Sequence, residues 1–396
     1  MSRISGTAAA ETSAADWLEV VQPHLAACLA GASALARLRI LAGTLPMGGA
    51  VVLETRPPSE AGQSGPVDIS LQVTTPELAV ALASLPATPL AGASLSGASE
   101  SAPWRQFLRA WARRPAWRLR APALWLEYDL EAPADLPVMP AQAGAPADLP
   151  VQPTPQETLA GRQAVPVAAG EIAAAPEVPE PVLCARLAAS AEARWVEGSL
   201  LPAMRGRPLA PEQRRLFRRC WAEIPPPGVP LYVFSMQPRG AGAVRIEIGG
   251  DGLRGVADLA AFLERVGAPA AAVRVAALQP LLAEADRLHL SCDLDELDGA
   301  IAPRFGVELS FPRQPRREPR WARLFERLVA AGLCTPGARD GALAWPGQDS
   351  LWTAGARWPA GQGPARRCLR CLSHLKLVCD GRRPTAAKIY LLYAVA

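Results

Sequence analysis

Arg370-Cys371-Leu372-Ser373-His374-Leu375-Lys376-Leu377-Val378-Cys379, then Asp380-Gly381-Arg382-Arg383-Pro384, then Ala386-Ala387-Lys388-Ile389-Tyr390-Leu391-Leu392-Tyr393-Ala394-Val395, is the stretch on which the fold turns. Two strand-like runs flank a turn that carries Gly and Pro, the pattern of a β-hairpin. Successive strand side chains point to opposite faces. Leu375, Leu377 and Cys379 therefore oppose His374, Lys376 and Val378. In the second run Ile389, Leu391 and Tyr393 oppose Lys388, Tyr390 and Leu392. With the turn centred near Arg382, Lys376 stands directly opposite Lys388 and His374 opposite Tyr390. Like charges paired across strands repel. The face they share is then open to water, or an acid or anionic ligand lies between them. Glu308 and Asp293 are the candidate acids; a peptide carboxylate or a phosphate is the candidate anion.

The same segregation recurs upstream. Leu288, Leu290, Cys292 and Leu294 oppose His289, Ser291 and Asp293; Val307, Leu309 and Phe311 oppose Arg304, Glu308 and Ser310; Val244, Ile246 and Ile248 oppose Arg245 and Glu247. The oily faces must bury against helices. The polar faces then form one surface, on which Lys376, Lys388, His374, Tyr390, His289, Arg304, Glu308 and Arg245 are the candidate ligand-binding residues. The two lysines are expected to serve a ligand and to be dispensable for folding.

Along the chain, paired strand signals recur with helical segments between them. The pairs are 50–54 with 67–73, 117–130 with 181–187, 229–237 with 244–249, 287–294 with 304–311, and the final hairpin. Helices are expected at 256–266, 271–286 and 319–331. In the last, Trp321, Leu324, Phe325, Leu328 and Val329 make one apolar stripe and Gly332 a natural stop. This is an α+β chain of repeated hairpin-plus-helix units. Its large antiparallel sheet either stays open with one wet face or closes as a ten-strand barrel with helices outside and polar groups within.

Composition bounds the function. The chain has 396 residues, 41 basic against 37 acidic, and only two of the basic residues are Lys. It lacks a basic tract, a P-loop, a dinucleotide fingerprint, HExxH and GxSxG. No apolar run is long enough to span a bilayer, and Met1 to Ala15 shows no signal-peptide pattern. A cytoplasmic protein without nucleic-acid or membrane partners is expected, and its eight Cys are read as reduced thiols. Residues 1–14 read as a disordered lead, 15–130 and 182–396 as two α+β halves, and Pro/Ala-rich 131–181 as a linker or an insertion between neighbouring strands. Cys368, Cys371, His374 and Cys379 have zinc-like spacing. On a regular strand, however, Cys368 and His374 point one way and Cys371 and Cys379 the other, so no metal site is expected, and no cofactor. Trp345, Trp352 and Trp358, in a Gly/Pro-rich loop, are the expected exposed anchors.

Two resemblances add to this. The repeat order and the ending Lys388-Ile389-Tyr390-Leu391 resemble the ABBA aromatic prenyltransferases. That resemblance implies the ten-strand barrel and an enzyme that moves a prenyl group to an aromatic or peptide acceptor, with Lys376, Lys388, Tyr390 and Arg245 at inward diphosphate-holding positions. Two Lys and four Tyr in the chain are fewer than such a site uses. The blocks Val307 to Pro315, Glu318 to Trp321, Gly332 to Pro336, Ala344 to Gly347 and Leu372 to Val378 resemble proteins of bacterial peptide natural-product clusters, in particular the peptide-binding family of crocagin-type pathways. That second resemblance spans about residues 285–393. It implies a non-catalytic partner of a ribosomally made precursor (leader) peptide and of the enzymes that modify it.

Overall fold

The computed structural model describes residues 14–46, 50–57, 65–85, 102–130, 180–225, 232–235, 243–249, 253, 255–296, 298–311, 318–350, 367–380 and 383–395. The Pro/Ala-rich linker apart from its last two residues, the lead before residue 14, Trp352, Trp358 and the turn residues Gly381 and Arg382 lie outside them.

Among the described residues eleven strands form one antiparallel sheet. They are β1 (Ala50–Thr55), β2 (Val67–Val73), β3 (Ala123–Tyr128), β4 (Val182–Arg186), β5 (Tyr232–Ser235) and β6 (Val244–Gly249). After these come β7 (Arg287–Leu294), β8 (Ile301–Ser310), β9 (Gly347–Ser350), β10 (Arg367–Asp380) and β11 (Arg383–Val395). The order is β11-β1-β2-β3-β4-β5-β6-β7-β8-β10-β9, and β10 also pairs with β11. That last pairing closes a ring of ten strands, with β9 lying outside it against residues 367–370 of β10. Closure removes the exposed edges an open sheet would carry. It also settles the choice between an open sheet and a ring: this is an ABBA-type α+β barrel. β3 and β4, on either side of the 131–181 stretch, pair directly, and β1 pairs with β11, so both halves of the chain build one sheet.

The core lies between ring and helices. Val51, Leu53, Ile69, Leu71, Leu290, Val307, Leu375 and Leu391 point outward from the ring and are at most 1% exposed. Burying each such side chain is worth about 1.5–3 kcal/mol. The helix Arg320–Ala330 shows how the outer layer is made. Trp321, Leu324, Phe325 and Leu328 are buried as the stripe predicts, the Trp321 ring meets Phe311 edge-on at 4.6 Å, and Gly332 turns the chain out at φ 69°. Several other helices begin with a proline in the first turn, where a missing N–H costs nothing: Pro76–Ala83, Pro103–Arg113, Pro211–Ala222 and Pro336–Ala344. No helix of the described residues is long and apolar enough to cross a membrane.

Some sequence expectations need correction. The run 117–130 is not one strand: Pro115 starts a short helix, Pro115–Arg120, and the strand occupies only Ala123–Tyr128. The 271–286 helix is two, Pro269–Ala276 and Gln279–Leu282, broken where Pro280 cannot donate to the preceding turn. Trp345 is not an exposed anchor. It is fully buried, its Nε1 donates to the Leu392 carbonyl at 3.4 Å, and the Arg370 guanidinium lies 5.5 Å from its ring.

Candidate functional site

Inside the ring the inward side chains enclose a cavity of about 420 Å³, within the range of small-molecule sites. Ion pairs form its floor, and each is dictated by register. Glu308 on β8 is the direct neighbour of Lys376 on β10. The Lys376 ammonium donates to Glu308 Oε1 at 2.8 Å and to Ser291 Oγ on β7 at 2.9 Å. Its stem lies over Gly306, where a Cβ would come within 2.3 Å of Cε. A second glycine makes the same kind of seat: the His289 ring lies over Gly249, and its Nδ1 is 3.1 Å from Glu247 Oε1. Arg245 clasps Asp293 through two bonds of 2.7 and 3.0 Å.

Lys376 and Lys388 are direct partners, as are His374 and Tyr390, as the turn position predicts. The ammonium groups escape repulsion by parting. Lys376 goes to β8 and β7, while Lys388 crosses to β1 and pairs with Glu54, which is 1% exposed. Arg56, just past β1, completes this corner by binding Asp68, with Glu54 Oε1 at 3.4 Å. Of the two acids proposed to separate the lysines, Glu308 takes Lys376, and Asp293 is committed to Arg245. Both lysines thus neutralise buried carboxylates. The expectation that they are dispensable for folding does not fit this arrangement.

His374 stacks on Tyr390, ring centroids 3.9 Å apart and planes 19° from parallel. Its Nδ1 is 3.0 Å from Ser373 Oγ and its Nε2 3.6 Å from Glu308 Oε2. Ser373 is an extra residue in the ladder: Leu372 pairs with Leu391, yet His374 pairs with Tyr390. This β-bulge lets both Ser373 and His374 line the cavity, and it inverts the parity of everything before it. Cys371 consequently shares the inner side of its partner Leu392, whereas Cys368 and Cys379 sit in the core with the helices. The Cys/His set is split between two faces, with a different division from the one a regular strand predicts.

The electrostatics follow from burial. Loss of water pushes the His374 imidazole down to about 4, so it is neutral at pH 7. Burial raises the Glu247 carboxyl, and the Glu308 charge adds to the rise. Burial and the Glu54 charge lift Asp68 to about 7. Burial works in the same direction on Glu308, but Lys376, His374 and His289 together outweigh it and hold that carboxyl low. Burial lowers the Lys388 ammonium. His289 ends raised, because Glu247 beside it overcomes the burial effect.

The opposite wall is aromatic. Trp125, Cys184 and Phe234 are successive register partners on β3, β4 and β5, and Tyr232 and Phe234 stand 6.3 Å apart. Glu127 and Glu247 line the cavity on the same side. Of the eight candidates read from the sequence, His289, Glu308, Arg245, His374, Lys376 and Tyr390 line the cavity. Lys388, paired with Glu54, is not among the residues that line the cavity. Arg304 is exposed near the start of β8, away from the cavity. The sequence reading did not single out Glu54, Asp68, Glu127 or Glu247 as site residues. The available signal was an acid inside an otherwise apolar strand. Glu247, His289 and Glu308 offer one ligand atom each within 4.8 Å of one another, a donor set able to take a divalent cation in competition with Lys376.

No protein-family model matches the sequence, and no curated protein matches it. Among solved structures, PriB in a binary complex with product diphosphate is similar at 11% identity and TM-score 0.46, over 96% of this chain and 94% of that one. The apo form of the prenyltransferase PriB is similar at 10% identity and TM-score 0.45, with the same coverage.

Proposed function

We propose that this barrel is a non-catalytic binding protein that takes part of a ribosomally made precursor peptide into its cavity while separate enzymes modify that peptide. The observation that carries this reading is the charge pairing of the floor. A site for a diphosphate needs cations in excess. Here Lys376, Lys388, Arg56 and Arg245 are each engaged by carboxylates of the same barrel. Of the residues that line the cavity, the acids Glu127, Glu247 and Glu308 outnumber the permanent cations Lys376 and Arg245. A paired floor of this kind still suits a peptide: Lys376 spends two of its three N–H donors on Glu308 and Ser291, and carboxylates keep spare lone pairs for backbone amides. Half-buried Trp125, Tyr232 and Phe234 supply ring surface for side chains. The likeness of residues 285–393 to crocagin-type peptide-binding proteins points to the same ligand class.

Calorimetry with the precursor peptide that this reading expects to be encoded beside the gene tests the proposal. Binding at micromolar concentration is expected, and silence at that concentration contradicts it. The second reading, prenyl transfer, is favoured by the closed ten-strand barrel itself and by the Tyr390 and Trp125 rings inside it. Incubation with dimethylallyl diphosphate, magnesium and aromatic or peptide acceptors gives product on that reading and none on ours.

A further inference from the structure

Three adjacent strands bring Glu247, His289 and Glu308 together in the cavity. His289 on β7 is the register partner of Glu308 on β8 and of Gly249 on β6, and Glu247 lies two residues before that glycine. The His289 ring rests on Gly249, where a Cβ would come within 2.2 Å of its Cδ2, and from there it presents Nδ1 to Glu247 Oε1 at 3.1 Å. One ligand atom from each of the three residues lies within 4.8 Å of the other two. We propose that Glu247, His289 and Glu308 form a binding site for a divalent cation of the zinc type, with a further coordination position open to the cavity. The inference does not depend on which organic ligand the cavity takes.

The state of the two carboxylates points to a cation. Glu247 is 5% and Glu308 6% exposed, and both line the cavity. Among the described residues, Glu247 is hydrogen-bonded only through Oε1, to His289, and Glu308 only through Oε1, to Lys376. Each thus keeps an oxygen that accepts nothing, where buried carboxylates ordinarily fill their lone pairs. Glu308 Oε2 instead faces His374 Nε2 at 3.6 Å, too far for a hydrogen bond, so a second imidazole stands beside the site. The spacing suits an ion as well. Ligand atoms about 2.0–2.1 Å from a tetrahedral metal stand roughly 3.3 Å apart, and the Glu247–His289 contact is 3.1 Å. The ion replaces the proton that those two atoms share. An imidazole with two carboxylates suits zinc or cobalt, whereas magnesium prefers oxygen ligands and keeps its waters. Lys376 is the competitor: it leaves Glu308 Oε2 to the metal, but its charge opposes the ion. The open position takes an oxygen or nitrogen donor of whatever enters the cavity.

The test titrates chelator-treated protein with Zn2+, Co2+ and Mg2+. One equivalent of Zn2+ or Co2+ is expected to bind at micromolar concentration or below, and Mg2+ at least about 100-fold more weakly. Bound Co2+ should show the visible bands of a four- or five-coordinate site without the near-ultraviolet band of thiolate ligation, which separates this site from the free cysteines. Glu247→Gln and His289→Gln should each weaken Zn2+ by more than about 100-fold, beyond the loss of an outer-shell partner. Urea midpoints measured without metal report whether they fold. Zn2+ should raise the urea midpoint of Lys376→Met more than that of the parent, because the competing charge is gone. In 15N-histidine-labelled parent protein, which has three imidazoles, Zn2+ should be bound by one of them through Nδ1, a readout that needs no variant. The inference is overturned by Zn2+ binding that does not saturate, by a thiolate band, or by unchanged affinity in a folded variant. It is overturned equally by a smaller midpoint gain in Lys376→Met, or by imidazole ligation through Nε2 alone.

Discussion

Lys376 lies across the backbone of Gly306 so closely that a single added methyl would occupy the space of its stem, with Cε 2.3 Å away. The glycine is therefore part of the ion pair, because it is what allows a β10 lysine to pass over β8 and reach Ser291 on β7. Gly306→Ala should cost about 1–3 kcal/mol, as expected for overpacking that also disturbs a buried pair. The cost should fall below about 1 kcal/mol in a Lys376→Ala background, where the stem is gone. Urea unfolding of the four proteins measures both. Equal costs in the two backgrounds would mean that Gly306 is needed for some other reason.

Lys376 is 7% and Glu308 6% exposed, so removing one partner strands a buried charge. Lys376→Met should destabilise the barrel by about 3–5 kcal/mol, and adding Glu308→Leu should recover more than half of that loss. A Lys376→Met protein as stable as the parent would show that the ammonium serves a ligand rather than the fold.

Two groups of this site push stability in opposite directions as pH falls. His374 is held at about 4 by burial, below its ordinary 6.5, so between those values the unfolded chain takes up the proton first and stability is lost on acidification. Asp68, lifted by burial to about 7 from an ordinary 3.8, binds its proton first in the folded chain. It adds stability as pH falls through that range. Relative to the parent, His374→Gln should therefore gain stability from pH 6.5 down to 4, and Asp68→Asn should lose it from pH 7 down to 4. Unfolding free energies at half-unit pH steps give both curves. Parallel curves for parent and variants would contradict the assignments.

Much of the barrel was legible because a period of two survives wherever one face is oily and the other ionisable. That was true of β7, β8, β10 and β11, whose hairpin pairings, β7 with β8 and β10 with β11, follow directly from the sequence, as does the face of most of their residues apart from Arg304 and the part of β10 before Ser373. It was not true of β1, where Ala50-Val51-Val52-Leu53-Glu54-Thr55 is buried throughout and Val52 lines the cavity itself. An apolar lumen wall removes the alternation, so Glu54 did not stand out as the partner of Lys388. The Ser373 bulge has no glycine or proline to announce it, and it shifts the parity of Cys368 and Cys371. β9, Gly-Gln-Asp-Ser, has no apolar residue at all. Its place is set by long-range contacts, with Asp349 held by Arg370 at 2.7 Å and by His24 at 3.2 Å.

Calorimetric titration with inorganic pyrophosphate and magnesium, up to millimolar concentration, bears most directly on whether the lumen cations are already spent on their own carboxylates. If they are, no saturable binding heat appears, and Lys376→Met with Glu308→Leu changes nothing in the trace. Micromolar binding that disappears in that double variant would show a cation free to hold a diphosphate, and would return the barrel to the transferases.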